Sequence, residues 1–105
     1  LSRANPIVEG NTLIGNTVGI NGGMSSPQIR DNVVDGGEHG ITLSGDAHLV
    51  GNTVENASVR GIEIVSDSAA SLRDNRSCGN GEDLCVADTA NPVVDASNDI
   101  CSANA

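Results

Sequence analysis

The sequence predicts an all-β fold, a parallel β-helix in which one short unit is coiled and stacked between four and five times. Three observations lead there. First, an octapeptide near the start, Ala4-Asn5-Pro6-Ile7-Val8-Glu9-Gly10-Asn11, returns as Ala90-Asn91-Pro92-Val93-Val94-Asp95-Ala96-Ser97, an offset of 86 residues or about four times 21 to 22. Degenerate copies fill the interval, and a period of that length marks a stacked repeat. Second, apolar residues come in short pairs of period two, Ile41-x-Leu43, Ile62-x-Ile64 and Leu84-x-Val86. That is the alternation of strands, not the 3.6 period of helices. Third, the chain has no Phe, Tyr or Trp, while Val, Ile, Leu and Ala supply its apolar content beside 13 Gly and many Asn. Such a composition suits narrow, identical layers of β-branched residues joined by bends.

The elements follow in order along each copy. The first strand carries Val8, Ile29, Leu49, Leu72 and Val94, at spacings of 21, 20, 23 and 22. Three residues on, a bend holds Asn11, Asn32, Asn52 and Asn75, closing with Ser97. Asn tolerates left-handed backbone, and a column of side-chain amides can hydrogen-bond from layer to layer. A second strand follows with Leu13, Val34, Val54 and the imperfect Ser77. A Gly-Ile step opens the third: Gly19-Ile20, Gly40-Ile41, Gly61-Ile62 and then Asp83-Leu84. Gly22, Leu43, Ile64 and Val86 complete that strand, Gly22 being the exception. Rungs thus run over 4–25, 26–46, 47–68 and 69–89, with a closing rung and tail at 90–105, all in one domain, 1–105. At ~4.8 Å per layer the stack is only about 20 to 25 Å tall.

The run Ile-x-x-Asn-x-Val followed by Gly-Ile-x-Leu resembles the right-handed parallel β-helix repeat of pectate-lyase-like proteins and bacterial carbohydrate-binding β-helix domains. The resemblance covers roughly residues 4 to 101 and implies a right-handed coil of that kind. It implies little about activity, because many functions share the scaffold. Glu38-His39-Gly40 is distantly similar to the Gly-His-Gly element of polygalacturonase-type β-helices, but the Asp cluster those enzymes need has no counterpart. Lyase chemistry on uronates wants an Arg or Lys base beside bound calcium. Arg60, read here as part of a turn insertion, has no carboxylate trio placed around it by the columns. His39 and His48 read as solvated turn residues.

Outward positions stack as well. Glu9, Arg30, Val50, Arg73 and Asp95 form one column, with opposite charges on adjacent rungs at both ends. Exposed pairs of this kind contribute ~0.2 to 1 kcal/mol each and serve as register markers. Asp46, Asp67 and Asp88, spaced 21 and 21, form another. Turn capping explains them, with a calcium site built from the three carboxylates as the alternative. Stacked Thr of the ice-binding type is missing, and so are the aromatic faces on which sugars stack. A net charge of −9 argues against nucleic acid and anionic membrane surfaces, both of which demand a basic patch. No apolar run approaches the ~18 to 20 residues that span a bilayer.

Three cysteines remain. Cys78 and Cys101 fall in nearly the same column of adjacent rungs, where a disulfide can bridge and would pin the terminal rung. Cys85–Cys101 is the alternative pairing, and no bond at all the third. Cys85 shares the outward column of Asn21, Thr42 and Glu63 and is expected to be free, and no Cys pair has zinc spacing. Leu1-Ser2-Arg3 is too short to cover the first rung, so self-association through that rung is expected. The chain begins without Met and reads as the C-terminal part of a larger secreted or cell-surface protein. The function expected is a non-catalytic scaffold or interaction module meeting polysaccharide or another protein, with weak glycan binding. The competing readings are a fragment of a polysaccharide lyase or hydrolase with its catalytic rungs upstream, and a structural stalk or adhesin. No resident cofactor is expected beyond the calcium alternative.

Overall fold

The computed structural model describes residues 7–22, 26–65 and 68–101. Its strands in chain order are β1 (Ile7–Glu9), β2 (Thr12–Ile14) and β3 (Val18–Gly22) in the first rung. The second holds β4 (Gln28–Arg30), β5 (Val33–Asp35) and β6 (His39–Leu43). The third holds β7 (His48–Val50), β8 (Thr53–Glu55) and β9 (Arg60–Ile64). The fourth holds β10 (Ser71–Arg73), β11 (Arg76–Cys78) and β12 (Glu82–Val86). A partial fifth rung adds β13 (Val93–Val94) and β14 (Asp99–Ile100).

Every pairing is parallel, and each strand pairs with its equivalent one rung away. Three sheets result: β1-β4-β7-β10-β13 (sheet A), β2-β5-β8-β11-β14 (sheet B) and β3-β6-β9-β12 (sheet C). The all-β expectation holds, and the coil is a β-solenoid of four rungs and part of a fifth.

Like residues lie over like inside it. Ile20, Ile41, Ile62 and Leu84 are consecutive partners in sheet C and all are buried. Ile29, Leu49 and Leu72 do the same in sheet A, and Val34 and Val54 in sheet B. This narrow file of branched aliphatics is the core, and burial of each such side chain contributes ~1.5 to 3 kcal/mol. Sheet C adds a second inward file, Leu43 over Ile64, so branched aliphatics fill the space between the walls without aromatic residues.

Two features of the backbone make the coil turn. The residue before each ladder Asn is left-handed: Gly10, Asp31, Gly51 and Asp74 have φ of 68, 54, 71 and 57°. Gly and Asp are among the residues that accept that conformation at low cost. At the entry to sheet C the chain presses against the next rung. A Cβ on Gly40 would stand 2.4 Å from Val54 Cγ1 and 2.5 Å from the carbonyl oxygen of Gly61. The Gly-Ile step therefore exists because backbone meets backbone there.

Candidate functional site

The bends and the outer face of sheet C carry the chemistry. At the first bend, both the backbone N–H and Nδ2 of each Asn donate to Oδ1 of the next: Asn11 to Asn32, Asn32 to Asn52 and Asn52 to Asn75, at 2.9 to 3.0 Å. Nδ2 of Asn32, Asn52 and Asn75 also donates to a carbonyl of the preceding rung, Val8, Ile29 and Leu49 respectively. Asn32, Asn52 and Asn75 are buried, and this network satisfies their polar groups. The column does not close with Ser97. Asn75 donates instead to Asn98 Oδ1, while Ser97 Oγ accepts from the backbone N–H of Asp74.

On sheet C the glycine step breaks the two-residue alternation, so two outward columns run side by side. One pairs His39, Arg60 and Glu82; the other pairs Thr42, Glu63 and Cys85. Arg60 opens a strand and does not lie in a turn insertion. Its Nη1 stands 3.3 Å from Glu63 Oε2 and its Nε 3.4 Å from Glu82 Oε1. His39 Nδ1 lies 3.8 Å from Glu63 Oε1, beyond hydrogen-bond reach. The neighbouring Cys85 first, then the negative charges of Glu63 and Glu82, hold the Arg60 guanidinium above its ordinary range, against a partial opposing effect of burial. Such a guanidinium gives up no proton at neutral pH, so it acts as a fixed charge and hydrogen-bond donor. His48, like His39, begins a strand; its Nδ1 is 2.9 Å from Ser71 Oγ.

This cluster was hidden from sequence reasoning, which aligned the Gly-Ile step but not the residue before it. The column Val18, His39, Arg60, Glu82 was nonetheless written in the same period. Also missed was a polar patch inside the fourth rung, where Ser77 and Asp83 are buried. Ser77 Oγ donates to the Asp83 carbonyl, and Asp83 Oδ1 accepts from the backbone N–H and Nδ2 of Asn80. Asn80 Oδ1 in turn accepts from the N–H of Ala57.

Elsewhere the surface is paired along its columns. Glu9 and Arg30 approach to 3.6 Å, and Arg76 pairs with Asp99. Asp95 is held below the ordinary carboxylate range, first by hydrogen bonds from Ser97 and to a lesser degree by the charge of Arg73. Asp46 Oδ1 accepts the backbone N–H of Ala69 one rung on, Asp88 is exposed in the turn after β12, and Asp67 lies outside the described residues. Cys78 and Cys101 form a disulfide with Cα atoms 5.1 Å apart, and Cys85 is free. Among the described residues, Cys78, Asp99 and Cys101 are the one group of three His, Cys, Asp or Glu side chains whose ligand atoms lie within 4.8 Å of one another. Two of those three are the disulfide sulfurs and hold no metal as thiolates. At the N-terminal end, Val8, Asn11, Leu13, Gly19, Ile20 and Asn21 line a shallow depression of about 340 Å³.

Residues 2–101 match the family NosD, described as periplasmic copper-binding protein. No curated protein and no solved structure matches the chain. The family is one of right-handed parallel β-helices, and its periplasmic description is consistent with an extracytoplasmic location for this chain. With the match spanning nearly every rung of the solenoid, the chain belongs to the NosD family.

Proposed function

We infer that the protein is a non-catalytic β-helix module that serves as an interaction scaffold of a secreted or cell-surface protein, with weak contacts to glycans through its polar columns. The observation that carries this reading is the pairing of Arg60. Its two nearest carboxylates, Glu63 and Glu82, neutralise it across adjacent strands. A lyase base must instead lose its proton, and a hydrolase needs carboxylates converging on a bond. The rigid outward rows of Asn, Thr, Glu and Arg present donors and acceptors at rung spacing, which suits shallow contact with hydroxyl-rich or peptide surfaces.

The family's description raises copper as a ligand. Copper favours imidazole, thiolate and thioether donors gathered at one point. Here His39 and Cys85 stand on different columns of sheet C, His48 belongs to sheet A, and Met24 lies outside the described residues. The described donors do not converge, so they do not fit a multidentate copper site, and no step is routed through the metal.

A glycan array screened with and without calcium, run beside a copper titration by calorimetry, tests the reading. Weak binding of polar glycans and no copper retained against free histidine is the expected result. One tight copper site, lost in His39→Ala or Cys85→Ser, would replace it with a copper-holding role. Cleavage of a uronate polysaccharide would replace it with the enzyme reading.

A further inference from the structure

Among the described residues, positive charge gathers on the outer face of sheet A. Each three-residue strand there turns its first and last residues outward and its middle residue inward. In the second to fourth rungs one outward column is Gln28, His48 and Ser71, and the other is Arg30, Val50 and Arg73. Neither column holds an Asp or Glu over those rungs, whereas Asp35 and Glu55 stand on sheet B and Glu63 and Glu82 on sheet C. The arginines of the other two sheets are spoken for: Arg60 by Glu63 and Glu82, Arg76 by Asp99. On sheet A, Arg30 lies 3.6 Å from Glu9, beyond hydrogen-bond reach, and its Nε has no partner among the described residues. Arg73 forms no ion pair among them.

Val50 is the register partner of both arginines, so their Cα atoms stand two rungs, about 10 Å, apart. Valine is too short to fill the space between two arginine side chains, which leaves a low apolar floor with a guanidinium on either side. Each guanidinium presents a planar fork that matches a carboxylate. Beside this column Gln28, His48 and Ser71 supply polar groups, His48 Nδ1 and Ser71 Oγ lying 2.9 Å apart. Next to Arg73, a shallow depression of about 260 Å³ is shared with Ser71, Val93 and Asp95. Acids bound the strip on every side: Glu9 beyond Arg30, Asp95 beyond Arg73, and Asp31, Asp46 and Asp74 in the flanking bends. The cationic surface is therefore narrow and runs along the coil axis.

We propose that this strip binds a short stretch of acidic glycan laid along the coil axis, with carboxylates of alternate sugars on Arg30 and Arg73 and the neutral sugar between them over Val50. The proposal rests on the glycan-contact reading above and names the ligand class and the face. The column selects the pattern. A charge on every unit would set one carboxylate over Val50, where no cation meets it, and further ones against Glu9 and Asp95. A charge on alternate units meets both arginines and avoids the acids. Hydroxyls of the neutral units find Gln28 and Ser71, and in the depression Asp95 accepts from them. The net charge of −9 keeps the contact weak without forbidding it. At physiological salt electrostatic fields fade within about 8 Å, so the arginines dominate at their own tips.

Titration of the chain with an octasaccharide of alternating glucuronate and N-acetylglucosamine, followed by amide NMR shifts, tests the assignment. The same octasaccharide with its carboxylates reduced to alcohols, and a glutamate oligopeptide, serve as comparisons. The acidic sugar is expected to shift the amides of β4, β7 and β10, to bind about five-fold more tightly than the reduced one, and to let go as salt rises. Arg30→Gln and Arg73→Gln are each expected to weaken it about two- to five-fold, the range of one exposed ion pair. Arg76→Gln, on sheet B, is expected to leave it unchanged. Urea midpoints equal to that of the unsubstituted chain show that a contact and not the fold was lost. Equal binding of the reduced sugar, with no effect of either sheet A arginine, would overturn this proposal and leave the glycan reading standing. No binding of either sugar would overturn both. Tighter binding of the glutamate peptide would assign the strip to an acidic protein segment and overturn the proposal as well.

Discussion

Asn52 makes four buried contacts with its neighbouring rungs: Oδ1 accepts from Asn32 N–H and Nδ2, and Nδ2 donates to Ile29 O and Asn75 Oδ1. Its removal strands the Asn32 N–H away from water and takes one bond each from Asn32 Nδ2, the Ile29 carbonyl and Asn75 Oδ1. Of these, Asn32 Nδ2 keeps the Val8 carbonyl and Asn75 Oδ1 keeps the Asn52 N–H. Asn52→Ala is expected to lower stability by about 2 to 3 kcal/mol, while Asn11→Ala, at an exposed position, costs less than about 1 kcal/mol, both read by urea unfolding. The positions of these residues were legible because the period holds at 21, 20 and 23 through Asn75. It failed at the last step for a local reason. The final bend carries one more residue than the others, with Asn98 N–H bonding to the Asp95 carbonyl and Ser97 N–H to the Asp95 carboxylate. The octapeptide match therefore put Ser97 opposite Asn11, whereas strand register puts Asn98 there. Sequence similarity and spatial register part wherever a bend absorbs an insertion.

At the scale of the strand, the Gly-Ile step decides both the core and the surface. Gly40 lies where a methyl group would meet the Gly61 carbonyl, which is backbone and has nowhere to retreat. Gly40→Ala is expected to cost at least about 3 kcal/mol. Gly10→Ala, where the space is open but φ is +68°, is expected to cost about 1 kcal/mol. Paired thermal melts of the two variants distinguish close approach from conformational preference. The same step explains which part of the outer face could be read beforehand. Ile41-x-Leu43 and its equivalents showed the inward residues by simple alternation. His39 and Arg60 did not follow that rule, because a glycine without a side chain stands between each and the buried isoleucine; Glu82 keeps the same register before the buried Asp83 and Leu84. Strand alternation thus revealed the interior of sheet C and concealed the charged cluster on its outside.

For the molecule as a whole, the disulfide fastens the partial fifth rung to the fourth, joining residues 23 apart. Reduction is expected to lower stability by about 3 kcal/mol, seen as a lower unfolding midpoint with reductant than without. The stacked architecture was legible because four near-copies of one unit leave little freedom in how they pack. Partner and ligand were not, because outward residues answer to whatever they meet and not to the period. The row of asparagines has one more effect. Each Oδ1 accepts from the rung before, while each Nδ2 gives one hydrogen to the next rung and another to a carbonyl of the rung before, so every interior asparagine ties together three layers. Neighbouring bonds in such a row polarise one another, strengthening each by about 10 to 30%.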